Sequence, residues 1–295
     1  MRKKLMLLFL SSTCLFANPR FFFEGGPLFW YPHQSGLDYA VTSKTTGHII
    51  NGKFENISFD WGVGGRLGAG FVIPSRNFEV FGLWTHFCGT GDGSVSGPVI
   101  FPIWNSSAAS LAYATAATAH WNVAFNTLDV GLRANFYPRG WLELSPSIGI
   151  KTAWIDQEYN IHILDDRLKM ESDMWGIGPR FGIDSLWKFN QSFGLNIDVA
   201  GALLWSNYDV IQKERQGDSI LANIKSDTEN LRAVLEFIAG PYYQYRFADF
   251  LMRITVGYDA QVYFSQNQFR PLISGSSNNG NLFFQGVVLN LLFGF

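Results

Sequence analysis

The sequence predicts an all-β protein, a transmembrane antiparallel up-and-down β-barrel of about ten strands. Three observations predict it: apolar residues recur at every second position, connections alternate between short and long, and the chain ends on an aromatic residue. Composition agrees. Among 295 residues 16% are aromatic, 16% are charged and 30 are Gly. Charge is usually about a quarter of a soluble protein. A mean hydropathy of +0.05 is too low for a bundle of membrane helices, but it suits strands that are apolar on one face only.

The strands follow in order. From Phe59 to Ile73, Phe59, Trp61, Val63, Leu67, Phe71 and Ile73 fall on one face, with Asp60, Arg66 and glycines on the other. Leu128, Val130, Leu132, Ala134 and Phe136 oppose Thr127, Asp129, Arg133 and Asn135. Leu142, Leu144, Ile148, Ile150 and Trp154 oppose Glu143, Ser145, Ser147 and Lys151. Phe193, Leu195, Ile197, Val199, Leu203 and Trp205 oppose Asn196 and Asp198. Phe250, Met252, Ile254, Val256, Tyr258, Val262 and Phe264 oppose Arg253, Thr255, Asp259 and Gln261. Weaker alternation marks Phe21–Pro32, Phe78–Cys88, Leu231–Arg246 and Asn281–Phe295.

Short connections are expected at 74–77, 137–140, 189–192 and 247–249, and long ones at about 33–58, 89–120, 156–172, 208–229 and 266–280. Short turns on one side and long loops on the other are the pattern of a bacterial outer-membrane barrel, with the long loops extracellular. Lipid offers no water to an open sheet edge, so the sheet must close. A soluble sandwich is the competing fold, but strands of about 15 residues are long for one.

The N-terminus reads as a secretory signal, residues 1–17, leaving 18–295 as the barrel. Arg2, Lys3 and Lys4 form its basic start and Leu5 to Leu10 its apolar core, with cleavage expected after Ala17. The apolar run is too short to span a membrane. A lipoprotein reading at Cys14 is weaker, because Thr13 precedes that cysteine. Cleavage leaves 19 basic against 24 acidic residues, net −5, which argues against nucleic acid as a partner. It also leaves Cys88 alone, so neither an internal disulfide nor a cysteine metal site is expected. No cofactor is expected either.

Two glycine-rich stretches repeat: Trp61-Gly62-Val63-Gly64-Gly65-Arg66-Leu67-Gly68 and Trp175-Gly176-Ile177-Gly178-Pro179-Arg180-Phe181-Gly182. Neither has the spacing of a dinucleotide fingerprint or opens a helix. The mechanical account is room inside a narrow barrel and easier strand curvature. Aromatic girdles are expected at both membrane interfaces, with Trp141 and Trp187 near the short turns and Trp30, Trp61, Trp154, Trp175 and Trp205 near the long loops. Phe293 and Phe295, at alternate positions of the terminus, resemble the signal read by barrel-assembly machinery.

The inward face decides what passes. Its expected bases are Arg66, Arg133, Lys151, Arg180, Arg232 and Arg253. Its expected acids are Asp60, Glu79, Asp129, Glu143, Asp184, Asp198, Glu236 and Asp259. Unpaired charge in a low-dielectric lumen is costly, so many should pair across strands. The lining of a weakly selective channel for small polar solutes and a salt-bridged plug both remain open. The 89–120 loop carries no charge from Gly93 to its end, and either narrows the mouth or packs as a compact surface loop. His33, His48, His86, His120 and His162 all fall near or in the long loops. No Asp/His protease motif accompanies them, so no catalytic residue is expected.

Phe23-Glu24, Leu28, Trp30, Asn126-Thr127-Leu128-Asp129, Trp154-Ile155-Asp156-Gln157-Glu158-Tyr159 and Trp175-Gly176-Ile177-Gly178-Pro179-Arg180 together resemble the Legionella-type major outer membrane protein family, which also occurs in chlamydia-related bacteria. The resemblance implies an abundant porin-like surface barrel. The barrel reading itself gives outer-membrane lipid, periplasmic chaperones, the barrel-assembly machinery and small polar solutes as expected partners, and the resemblance adds a host surface in some members. Such proteins are often cross-linked by disulfides, which a single mature cysteine limits. A surface adhesin or structural barrel with a blocked lumen is the alternative to a channel.

Overall fold

Period-two alternation builds long strands here, and every strand pairs antiparallel. The computed structural model describes residues 20–43, 52–73, 78–105, 114–247, 250–270 and 280–295. The expected signal peptide, the 74–77 turn, His48 and part of the 89–120 loop lie outside the described residues. In chain order the strands are β1 (Arg20–Gln34), β2 (Asp38–Ser43), β3 (Gly52–Asn56), β4 (Ser58–Phe59), β5 (Gly62–Ile73), β6 (Phe78–Pro102), β7 (Ala114–Ala134), β8 (Phe136–Arg139), β9 (Leu142–Ile163), β10 (Asp166–Lys188), β11 (Phe193–Gln216), β12 (Ser219–Phe247), β13 (Phe250–Tyr263) and β14 (Leu282–Gly294).

Ten of them close the barrel in the order β1-β5-β6-β7-β9-β10-β11-β12-β13-β14, with β14 returning to β1. The C-terminus makes the seam. Phe293 lies opposite Phe23, and the Phe295 amide donates to Phe21 O at 2.9 Å. Closure leaves no edge in the hydrocarbon, where a free N–H or C=O would cost several kcal/mol.

Crossing hydrocarbon takes about 9–11 tilted residues. β6 has 25 residues, β10 23 and β12 29, so they rise far beyond the membrane at the end opposite the short turns. Most of the length of the expected long connections is therefore strand. β9 and β10 meet in a two-residue turn at Leu164-Asp165, and β11 and β12 in another at Gly217-Asp218. Leu164 and Gly217 take the positive φ, 54° and 57°, that tight hairpins demand. β2, β3 and β4 add to the same end, β2 and β4 against β6 and β3 against β2.

Alternation continues through these extensions with its polarity reversed. On β9, Ile148, Ile150 and Trp154 are exposed while Ser145 and Lys151 point inward and are buried. Above Trp154 the exposed outward positions are Asp156 and His162, and the buried inward ones are Ile155, Gln157, Tyr159, Ile161 and Ile163. β10 and β11 reverse at Trp175 and Trp205 in the same way. The solvent changes and the side-chain rule follows: lipid selects an apolar outside, and water above it selects a polar outside around a largely apolar core.

Three side-chain placements expected from alternation are corrected. Trp30 is not in an interfacial girdle. It is fully buried inside the barrel, because Phe21, Phe23 and Phe29 take the outward parity of β1 and leave Trp30 on the side of Phe22 and Leu28. Asp60 does not line the lumen. The strand breaks at Asp60-Trp61, and Asp60 is exposed at the rim, its amide donating to Thr90 O at 3.0 Å. The same break turns Phe59 inward, edge-on to Trp121 at 5.2 Å. The paired glycine-rich stretches serve close backbone approach: a Cβ at Gly64 would collide with His86 O, and one at Gly178 with Leu203 O.

Candidate functional site

The barrel interior has two layers. The layer nearer the short turns is ionic. Lys151 Nζ lies 2.9 Å from both Asp129 oxygens and 2.5 Å from Glu236 Oε1. Arg180 donates to Glu236 Oε2 from Nη2 at 2.8 Å and from Nε at 3.2 Å. Arg66 donates to Asp259 at 2.8 Å and to Thr85 Oγ1 at 3.2 Å. These pairs join β5, β7, β9, β10, β12 and β13, so they tie the wall across its width. Lys151 is 1% exposed and Asp259 0%. Unpaired, either charge would be expensive; Lys151 is held by Asp129 and Glu236, and Asp259 by Arg66.

Toward the short turns the pairs loosen. Arg133 Nη1 lies 3.4 Å from Glu79, which also accepts from Asn135 at 2.6 Å. Lys188 reaches Glu143 at 2.8 Å, and Asn196 donates to Asp184 at 2.6 Å. Asp184 sits directly across from Asp198. Arg253 lies over the Tyr242 ring at 5.3 Å. Arg232 stands apart, higher in the barrel, donating to Tyr208 Oη at 3.2 Å. Glu24, missed by the sequence reading, belongs to this layer and accepts from Asn290 at 3.0 Å. Its parity on β1, opposite to Phe21 and Phe23, was the available signal. A cavity of about 100 Å³ sits among the charges, and a vestibule of about 560 Å³, lined by Tyr137, Glu143, Lys188 and Arg246, opens at the short-turn end.

The second layer is apolar. Trp30 packs on Phe284 at 5.2 Å, Phe87 at 5.4 Å and Phe125 at 5.9 Å, and Phe125 meets Tyr263 at 5.5 Å. All five rings are fully buried, and they belong to one hydrophobic cluster that also takes in Ile155, Met174, Leu204 and Val234 from the other strands of the wall. Above them the segment 264–270 folds inward. Gln266 accepts from Tyr208 Oη at 2.8 Å, Asn267 donates to Ser35 O at 3.0 Å, and Phe269 lies 6.2 Å from Tyr159. Trp104 and Asn105, at the end of the β6 extension, are buried too, with Trp104 donating to Asp38 O.

Asp166, at the β9–β10 turn, is buried beside Glu214 and accepts from Asn105. Desolvation, then the Glu214 carboxylate, push Asp166 up to about 6. A raised carboxyl stabilises the fold while protonated and loses that contribution as pH rises through about 6. Once the base-catalysed intrinsic rate is divided out, the protection of amides in the 161–168 and 212–219 hairpin tips should therefore be greater at pH 5 than at pH 7.5. Asp166→Asn should flatten that difference; an unchanged pH dependence in the variant would refute the assignment.

Outside, Trp61, Trp154, Trp175 and Trp205 are exposed where polarity reverses, and so is Trp84, which the sequence reading passed over. Trp175 and Trp205 stack edge to face at 5.5 Å. Trp141 and Trp187 mark the opposite end, 5.5 Å apart. Just above the upper girdle, Asp156, Asp173, Asp209 and Asp227 lie directly opposite one another on β9 to β12. Desolvation, then the facing carboxylate, raise Asp156 and Asp173. Like charges directly opposite destabilise a sheet. Asp173→Asn should raise stability by about 0.2–1 kcal/mol, read as a slightly higher denaturation midpoint; a lowered midpoint would show that the row is held by something attractive. Cys88 is free and exposed, and no group of His, Cys, Asp and Glu fit to hold a metal occurs among the described residues.

Residues 17–295 match the family model described as the Legionella pneumophila major outer membrane protein precursor. No curated protein sequence matches. Among solved structures, the outer membrane protease OmpT from Escherichia coli has a similar fold, with a TM-score of 0.52 and 8% identity over 97% of this chain and 99% of that one. OprG from Pseudomonas aeruginosa aligns with a TM-score of 0.28 and 11% identity, over 95% and 97% of the two chains.

Proposed function

The chain belongs to the Legionella major outer membrane protein family and so to the bacterial outer membrane, and on that premise we propose that it is an envelope surface barrel with a closed lumen, displaying a rigid strand-built extension. The single observation behind this reading is the double seal. Five fully buried rings sit over a layer of ion pairs in which Lys151 and Asp259 have no access to solvent. A small polar solute on a straight path would have to strip paired charges and then enter an apolar layer. Both steps are costly.

A porin-like channel for small polar solutes is the second reading. It is favoured by the 560 Å³ vestibule, whose polar walls lead up to the septum. Conduction would require the ion pairs to exchange partners and the 264–270 segment to withdraw. Liposome swelling separates the two. Vesicles carrying the refolded protein should swell in arabinose no faster than empty ones. Swelling that rises with protein content would favour the channel.

A further inference from the structure

Above the girdle the sheet is no longer closed, and β12 forms one of its edges. β12 pairs with β11 from Ser219 to Tyr243, but with β13 only from Val234 to Phe247. Above Val234 no described strand lies on its other side. The chain leaves β13 at Tyr263 and turns into the bore, where Gln266 accepts from Tyr208 Oη and Arg270 O accepts from Gln212 Nε2 at 2.9 Å. It therefore crosses behind the sheet instead of running beside the edge.

Two hydrogen bonds fix which backbone groups are open. Phe264 N donates to Ala233 O on the β13 side, and Gln244 N donates to Ser192 O on the β11 side. Backbone direction alternates along a strand, so the odd-numbered residues of β12 face β13 and the even-numbered ones face β11. The register with β11 is unbroken from Tyr243 to Ala222. Asn223, Lys225, Asp227 and Glu229 thus turn N–H and C=O to the open side, over a stretch about 23 Å long. Such an edge is a template for another strand, and proteins blunt it with Pro, bulges or inward-pointing charges. Here no Pro occurs from Ser219 to Gly240, and the register shift lies beyond Ala222. The inward row Ala222, Ile224, Ser226, Thr228 and Asn230 carries no charge, and Ile224 is 44% exposed. The outward row carries Lys225, Asp227 and Glu229, all exposed. Asp227 also ends the row of facing aspartates that begins at Asp156, so the outer face of the edge lacks a balancing cation beside it.

We propose that this edge takes an extended segment of a partner protein as an added antiparallel strand. The segment is uncharged at the alternate residues that face the inward row, and basic where it faces Asp227 and Glu229. Main-chain hydrogen bonds hold it, and the two side-chain rows select it. A base opposite Asp227 offsets the repulsion along the aspartate row. The inference rests on the surface display of the extension in the proposed function, and not on the closed lumen.

The test uses the full mature chain refolded in detergent and the end-blocked heptapeptide Lys-Val-Lys-Val-Glu-Val-Thr, whose residues face Glu229 to Asn223 in turn. Amide exchange read by NMR on the protein alone should be fast at Asn223, Lys225, Asp227 and Glu229 and slow at Ile224, Ser226 and Thr228. Adding the peptide should slow the odd-numbered set. Fluorescence anisotropy of labelled peptide gives the affinity. Asp227→Pro removes an open-side N–H at a position where no ladder bond is lost, and should weaken binding by roughly tenfold or more. Asp227→Asn keeps the N–H and should weaken it by roughly two- to fivefold. Heat-modifiable migration in gels verifies that each variant is folded. Odd-numbered amides already slow in the protein alone would overturn the proposal, because a second copy or another part of this chain would then hold the edge. So would a peptide that leaves them fast, or one that binds the parent and Asp227→Pro equally. Peptide binding in detergent does not depend on whether the lumen conducts, so it and liposome swelling fail separately.

Discussion

Lys151→Met is expected to be the most damaging single change in the barrel, lowering stability by about 3–5 kcal/mol. The ammonium answers Asp129 at 2.9 Å and Glu236 at 2.5 Å; Lys151 and Asp129 are buried and the Glu236 side chain is 10% exposed. Methionine fills the space but leaves two carboxylates facing each other with only Arg180, 3.8 Å from Asp129 and 2.8 Å from Glu236, between them. The check is the urea midpoint in detergent, read by loss of heat-modifiable migration. Adding Glu236→Gln should recover part of the loss, because one stranded charge is gone. A midpoint unchanged by Lys151→Met would mean the septum is hydrated, and the closed-lumen account would fail with it.

Trp30→Ala should cost nearly as much, about 3–5 kcal/mol, through a different mechanism. The indole is packed among Phe284, Phe87 and Phe125, each with ring centres within 5.9 Å. Truncation leaves a void where the bore is sealed, and strands on both sides of the β1 seam line it. Trp30→Phe should retain more than half of the lost stability, since it keeps a ring in the gap. Had Trp30 stood in the girdle among lipids, alanine would cost little and the phenylalanine variant would be indistinguishable from it.

The contrast between Trp30 and Trp154 shows how far the sequence was legible. Within the membrane, alternation can be read because lipid imposes one rule: Leu128, Val130, Ile148, Ile150 and Leu203 sort outward, and their polar neighbours inward. Above the girdle water reverses the rule, and residues such as Tyr159, Ile161 and Met170 no longer look like parts of barrel strands, so 156–172 and 208–229 read as loops. Trp30 was misplaced because an aromatic near a strand end is ambiguous until its parity is counted from Phe21 and Phe23. Asp60 was misplaced because one irregular residue pair resets the phase. Pairing across distant strands, such as Arg66 on β5 with Asp259 on β13, depends on register and closure, which the pattern along one strand does not contain.

Single-channel recording of the refolded parent protein in a planar bilayer bears most directly on the central claim. The double seal predicts a baseline without steps above background in molar salt, and the appearance of steps only when Trp30→Ala is combined with Lys151→Met. Steady ohmic steps from the parent protein would contradict it, because ions would then be crossing both layers as they stand.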